Sequence, residues 1–138
     1  MTDWNYISSE KDITDIMMAC GDFHDCCIVS ASYQSGAFVD GDSSMHFGKA
    51  DDRIMTVTLH SQCTPKTIEL CFSGLRLCRL TGRQENCTCE ILGAFLSFFD
   101  AHDSRLIVWS DNSDFDISDA NNSDDTYIVA EKLKWRRF

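Results

Sequence analysis

Residues 55–59 read MTVTL and residues 68–72 read IELCF, and these two stretches decide the fold. In each, a large apolar residue stands at every second position, with a polar or small residue between. Successive side chains of a β-strand point to opposite faces of the sheet, so this alternation is typical of antiparallel strands that bury one face. The polar segment that separates them contains the sole proline, Pro65, which favours a turn. The sequence therefore predicts strands at 53–60 and 66–72.

The chain has 138 residues, of which 43% are hydrophobic, enough for one domain with its own core. We expect residues 1–138 to form a single domain, because no repeat or linker divides them. The formal net charge is -10. Nucleic-acid binding depends on Lys and Arg side chains that neutralise phosphates, so this charge argues against a nucleic-acid partner. A basic protein is the natural electrostatic complement.

One helix is predicted, at residues 9–20. Its apolar residues recur three and four positions apart and form a single stripe. The stripe consists of Ile13, Ile16, Met17 and Cys20. Ser9 is a suitable N-cap with Asp12 three residues further on, and Gly21 suits the C-terminal end.

The other apolar segments predict further strands. They lie at 27–33, 75–80, 89–99, 105–110 and 127–135. Segment 89–99 is apolar on both faces, which favours a central strand covered on one side by the helix. In the first of these strands the inward residues are expected to be Cys27, Val29, Ala31 and Tyr33.

Residues 40–52 predict a loop with a small apolar anchor at Met45, His46 and Phe47. One helix followed by about seven strands indicates an α+β domain. We expect the N-terminal helix to pack on a strongly curved, mainly antiparallel sheet of about six to eight strands, forming a roll or an open barrel.

The cysteines are expected to be reduced thiols. The chain has eight Cys residues, but its first residues lack the basic start and apolar run of a secretory signal. The longest apolar stretch, 91–99, is interrupted by Gly93 and Ser97, so no membrane-spanning helix is expected. We therefore expect a cytoplasmic protein whose buried thiols behave as small hydrophobic groups.

An acidic loop is the strongest candidate for a binding site. Residues 111–125 contain six Asp and no Lys or Arg. A loop that long and that charged is either mobile or functional, and its carboxylates would steer a basic protein partner into contact. The candidate binding residues are Asp111, Asp114, Asp116, Asp119, Asp124 and Asp125.

Two metal-site patterns were weighed, and neither metal nor cofactor is predicted. Oxygen ligands alternate at 114–118, but Asp119 stands where an EF-hand has Gly, which leaves only a weak cation site as an alternative to a solvated loop. Cys87 and Cys89 have one residue between them, where zinc sites use two to four. A site that adds His60 or Cys63 stays conceivable beside ordinary buried thiols.

An alternative function is a small ligand-binding or hydrolytic barrel. Its acid–base chemistry would come from His24 with Asp25 or Glu69. Its pocket would be lined by the aromatic residues Phe95, Phe98, Trp109 and Trp135. The opposing interpretation is that His24 and Asp25 tie down the junction between helix and first strand.

Basic residues alternate at the end of the chain. Lys132, Lys134 and Arg136 share one face of the last predicted strand. Such a face is typical of an edge strand that avoids aggregation, and an anion site is the other interpretation.

Several short motifs follow one another along the chain in a distinctive order. They are Trp4 before the helix, Phe23-His24-Asp25, Ser35-Gly36-Ala37, Ile68-Glu69-Leu70, Cys89-Glu90-Ile91-Leu92, Ile107-Val108-Trp109 and Leu133-Lys134-Trp135-Arg136. In this order the chain resembles a group of small uncharacterised bacterial single-domain proteins. The resemblance is sharpest at His24, Asp25, Glu69, Trp109 and Trp135. In size and layout it resembles the immunity proteins encoded beside bacterial toxins, which implies an inhibitor that binds another protein.

Overall fold

A computed structural model describes residues 3–63, 66–82 and 89–138. Within these ranges the chain forms one α-helix and nine strands. They are β1 (Asn5–Ile7), α1 (Glu10–Ala19), β2 (Cys26–Gln34), β3 (Phe38–Val39), β4 (Met45–His46), β5 (Ile54–Ser61), β6 (Thr67–Arg79), β7 (Phe95–Ala101), β8 (Ser104–Ser110) and β9 (Tyr127–Arg137). Short 3-10 turns lie at Gly21–Phe23, Ala50–Asp52 and Ile117–Asn122.

Seven strands form one antiparallel sheet in the order β2-β5-β6-β9-β8-β7, with β1 added beside β9. β9 is paired on both edges: β6 runs along one, and β8 and β1 share the other. β3 and β4 form a separate two-stranded hairpin. The sheet does not close. The predicted α+β class, with one helix and a mainly antiparallel sheet of six to eight strands, is confirmed.

The helix prediction is confirmed. Ser9 accepts from the backbone N–H of Asp12, and the Asp12 carboxylate accepts from the backbone N–H of Ser9, a reciprocal capping box. These hydrogen bonds, with those from Ser8, hold the pKa of Asp12 below its usual range. The helix ends at Ala19, and Gly21, which follows the C-cap Cys20, has a φ of 59°, the left-handed conformation that glycine adopts without strain.

The main core lies between α1 and the inner face of the sheet. The paired strands β5 and β6 contribute alternate residues, for example Val57 opposite Leu70, both fully buried. β9 adds Trp135 opposite Leu70. Trp109 is also fully buried, with its ring edge-to-face against Phe23 at a centroid distance of 5.7 Å. The alternation visible in the sequence is therefore the alternation between core and outer face.

The prediction of a central strand at 89–99 is wrong. β7 begins at Phe95 and is an edge strand of the sheet. The backbone before it bonds to the segment that precedes β2: Ile91 O accepts from Asp25 N at 2.9 Å, and Ala94 N donates to Asp22 O at 2.9 Å. Ile91 is buried and Leu92 exposed, so this apolar run joins two distant parts of the chain instead of crossing the sheet.

The predicted inward face of the first strand is only partly correct. A β-bulge between Ile28 and Ser30 shifts the register of β2 against β5. Before the bulge, Cys26 faces the core and Cys27 pairs with exposed His60 on the outer face. After it, Ala31 pairs with Val57 and lies on that side of the sheet, but it is exposed and not part of the core. Val29 at the bulge is half exposed, and so is Tyr33 further along the strand.

Two predicted strands, 66–72 and 75–80, are one. β6 continues through Gly74, whose φ of 66° permits an irregular step in the strand. Glu131 of β9 lies directly over the glycine, where any side chain would overlap it. The polar interruption in the sequence thus marks a close contact within one long strand, beside the register shift between Leu75 and Leu77.

The inner-face assignment predicts a large loss of stability on truncation. Leu70→Ala and Trp109→Ala should each lower the free energy of unfolding by about 2 to 5 kcal/mol, because each leaves a cavity in the core. Thr56→Ala, on the outer face of β5, should lower it by about 1 kcal/mol or less, because it leaves no core cavity and costs only β-propensity. Urea denaturation of the three variants checks this, and near-neutral values for both core variants would contradict the register.

Candidate functional site

The acidic loop 111–125 is fixed to the outer face of the sheet by apolar residues that alternate with its carboxylates. Phe115 and Ala120 are buried in a second core against β8 and β9. The Phe115 ring lies 5.1 Å from Tyr127 and 6.0 Å from Phe95, measured between ring centroids. Ile117 is partly buried beside them. The loop therefore covers a core of its own, which the sequence analysis did not foresee.

Short-range hydrogen bonds set the loop's backbone. Asp116 caps the 3-10 turn Ile117–Asn122, accepting from the backbone N–H and the hydroxyl of Ser118 at 2.9 and 2.7 Å. These bonds hold the pKa of Asp116 below its usual range. Asp119 accepts from the side-chain amide of Asn122 at 2.9 Å. The anionic surface is thus pre-formed.

The six candidate carboxylates divide into two groups. Asp111 accepts from Thr126 N at 3.2 Å, and Asp125 accepts from Ser123 Oγ at 2.7 Å, so both help to close the loop ends. The other four are exposed: Asp114, Asp116, Asp119 and Asp124. Asp124 lies 3.3 Å from the Arg79 guanidinium. The structure places these four carboxylates outward on one ordered loop.

The second candidate group is not assembled into one site. His24 Nδ1 lies 3.0 Å from Asp25 Oδ2 on an exposed turn. Glu69 lies on the outer face of β6, 2.9 Å from Arg136. Trp109 is in the core, where its Nε1–H has no acceptor among the described residues. The backbone of Asp25 bonds to both Ile91 and Gln62, which fits a role in fixing the junction before β2.

Cavities do not coincide with the expected aromatic pocket. Four surface cavities of about 340, 390, 290 and 520 Å³ open among the described residues. None of the four is lined by Phe95, Phe98, Trp109 or Trp135. Asp25 lines the cavity of 390 Å³ and His24 that of 290 Å³, and no cavity of the four has both. None of these four cavities therefore brings His24 and Asp25 together with the aromatic residues of the barrel alternative.

The residues weighed as metal ligands do not converge. Cys87 lies outside the described residues. In the ranges that the structure describes, no group of three or more His, Cys, Asp or Glu side chains is arranged to hold a metal ion. No helix in those ranges has the length and apolar character needed to cross a membrane.

The seven cysteines in the described ranges are all free thiols. Burial raises the pKa of Cys20 to about 12, and burial also raises the pKa of Cys26 and Cys78. Cys63 and Cys89 are exposed. The described residues thus include both buried and solvent-accessible thiols.

The basic residues of the last strand do not protect an edge, because β9 is an interior strand. The interpretation of these residues as protection of an edge strand is therefore wrong. On the outer face, Arg136 pairs with Glu69, and Lys132 lies 3.4 Å from Asp51. Lys134 lies over the ring of Trp4, 4.8 Å from its centroid. We call Lys132, Lys134 and Arg136 the basic stripe. It contacts aromatic residues of the N-terminal segment, a proximity that the sequence analysis did not predict.

Comparison with known proteins gives no assignment: no protein-family model matches the chain, and no curated protein or solved structure matches it significantly.

The thiol environments predict selective labelling. At pH 8, maleimide should modify Cys63 and Cys89 rapidly, whereas Cys20 should stay unmodified, because its raised pKa and burial leave little accessible thiolate. Peptide mass spectrometry of the native protein measures this. Labelling in denaturant, where Cys20 must react, is the control, and equal native rates for Cys20 and Cys63 would contradict the structure.

The loop geometry predicts that the exposed carboxylates contribute little to the free energy of unfolding. D114N/D116N/D119N should change the free energy of unfolding by less than about 0.5 kcal/mol, because Asn retains the accepting oxygens and removes repulsion between exposed charges. Phe115→Ala should lower it by about 3 kcal/mol, since it empties the second core. Urea denaturation compares the two, and unfolding of the triple variant would show that the carboxylates are structural.

Proposed function

We propose that this protein binds another, basic protein through the exposed carboxylates of the acidic loop and has no catalytic activity of its own. The observation that carries the proposal is the pre-formed anionic surface of Asp114, Asp116, Asp119 and Asp124 on apolar anchors. A surface that is already ordered loses little conformational entropy on binding. This supports a role in recognition over that of a solvated linker.

Electrostatics support the class of partner. The whole chain has a net charge of -10, and the loop contains no Lys or Arg. An acidic patch on an acidic protein accelerates the encounter with a cationic protein and disfavours nucleic acids and anionic surfaces. An immunity-like inhibitor from bacteria, acting in the cytoplasm, is the form of this proposal that the sequence resemblance favours. The free thiols of the described residues are in keeping with such a compartment.

Association kinetics test the proposal. The immobilised protein is first used to retain a partner from source cells at physiological salt, and the identified partner is then purified. Its association rate with D114N/D116N/D119N should fall by about tenfold at low salt, with a flatter dependence on ionic strength.

The matched control is D22N/D100N/D103N, which removes three exposed carboxylates outside the loop. It should keep most of the association rate because it alters the overall charge equally but leaves the loop intact. An equal loss of association rate in both triple variants would show that net charge, and not the acidic loop, determines the rate. Retention of no protein at physiological salt would count against the proposal itself.

A further inference from the structure

A second surface stands apart from the acidic loop. We define the apolar hairpin as residues 37–48, which contain β3 and β4. Four large hydrophobic side chains are more than half exposed on it: Phe38 (55%), Val39 (56%), Met45 (70%) and Phe47 (86%). Val39 lies directly opposite Met45, and Phe47 is in the same phase two residues on. Phe38 pairs with His46 and lies on the other face of the hairpin. Three exposed apolar side chains on one face are typical of an interaction site.

Polar groups hold the apolar hairpin in shape. The Asp40 carboxylate accepts from the backbone N–H groups of Asp42 and Ser44 at 2.9 and 3.0 Å, and it lies 2.7 Å from His46 Nε2. The bond with His46 and those with Ser44 and Asp42 keep the pKa of Asp40 below its usual range. The His46 ring stacks on Phe38 at 4.6 Å. An isolated two-stranded hairpin is marginal in water, so this turn stabilises a conformation whose apolar side chains stay exposed.

The base of the hairpin is closed and lies beside the outer face of the sheet. Gly36 and Gly48 are in backbone contact, and a Cβ at Gly48 would stand 2.5 Å from the Gly36 carbonyl oxygen. Asp51, just beyond the base, lies 3.4 Å from Lys132 on the outer face of β9. The hairpin is thus a defined projection next to the basic stripe.

Along the same face of β9 lies what we define as the basic-aromatic patch: Trp4, Tyr6, Lys134, Arg136 and Phe138. Tyr6 is 69% exposed and Phe138 58%. Arg136 lies 4.3 Å from the Trp4 ring centroid, and Lys134 has no carboxylate partner among the described residues. The patch presents exposed aromatic area and, in Lys134, a cation that forms no ion pair with any residue the structure describes.

The two surfaces are chemical complements. The hairpin is apolar and carries Asp40 and Asp42 with no Lys or Arg; the patch is aromatic and cationic. We propose that the apolar hairpin of one copy docks on the basic-aromatic patch of a second copy, so that the chain forms a two-fold dimer. Asp51, three residues past the hairpin, lies 3.4 Å from Lys132, and Lys132 is two residues from Lys134 of the patch, so one two-fold axis can place each hairpin on the other copy's patch and form the contact twice.

The charges of the two surfaces favour the patch of a second copy over other partners for the hairpin. Hairpin against hairpin would bring four Asp side chains together, a like-charge contact that disfavours association. An anionic membrane surface would repel the same acids. The patch supplies the cations that the hairpin lacks. Because patch and hairpin belong to the same chain, each is present at the same concentration as the other.

Analytical ultracentrifugation of the full chain tests the dimer. The wild type should sediment with twice the mass of one 15.6 kDa chain at high micromolar concentration. M45S/F47S should raise the dimer dissociation constant by at least about tenfold, because it removes the most exposed apolar side chains of the contact. M18S, which removes an exposed Met from α1 outside both surfaces, should leave it unchanged. Circular dichroism and thermal melting verify that each variant is folded.

A reciprocal charge exchange tests the arrangement independently of hydrophobic loss. D42K and K134E should each weaken self-association, because each places like charges across the contact. An equimolar mixture should restore dimers, since hairpin Lys then faces patch Glu and hairpin Asp faces patch Lys. Neither variant disturbs the core, so this arm stays decisive even where M45S/F47S misfolds.

Three results would overturn the proposal. The first is a wild-type monomer at every concentration. The second is a dimer that M45S/F47S leaves intact. The third is a dimer that D114N/D116N/D119N dissociates while D42K and K134E do not, which would place the acidic loop at the contact. Mixed dimers of D42K with K134E would support it directly.

Discussion

The pairing of β9 on both edges is the constraint on which the rest of the structure depends. β6 occupies one edge for its full length, while β8 and β1 share the other. The two faces of β9 then pack in different cores. Its inner residues, such as Trp135, complete the main core, and its outer residues, such as Tyr127 and Val129, begin the second core beneath the acidic loop. A defect in this strand would therefore reach both cores, the loop and the basic stripe together.

The sequence predicted those elements whose signals are local. Alternation at 55–59 and 68–72 identified a true strand pair, and Ser9 with Asp12 identified the helix start, because capping and alternation depend on near neighbours. Segment 89–94 was misassigned because its backbone partners, at 22–26, lie more than sixty residues away. The bulge in β2 reversed an inward face for a similar reason: register is set by the partner strand.

The candidate sites show the same division. The charge of the acidic loop could be read directly, whereas the role of Phe115 could not, because a single aromatic residue among six Asp gives no periodic pattern. Its burial depends on the empty outer face of β8 and β9, a feature of the tertiary structure. The proximity of Trp4 to Lys134 likewise requires β1 to lie beside β9. Placement of His24, Glu69 and Trp109 on separate faces also required the fold.

The contact between Gly36 and Gly48 has a consequence for how this protein accepts sequence change. The chain leaves and re-enters the domain body through two touching glycines, so the residues between them make a self-contained module. Substitutions at its exposed positions leave the packing of α1 against the sheet unaltered. The exposed side chains of that module lie outside both cores, so they can vary without a compensating change in either core.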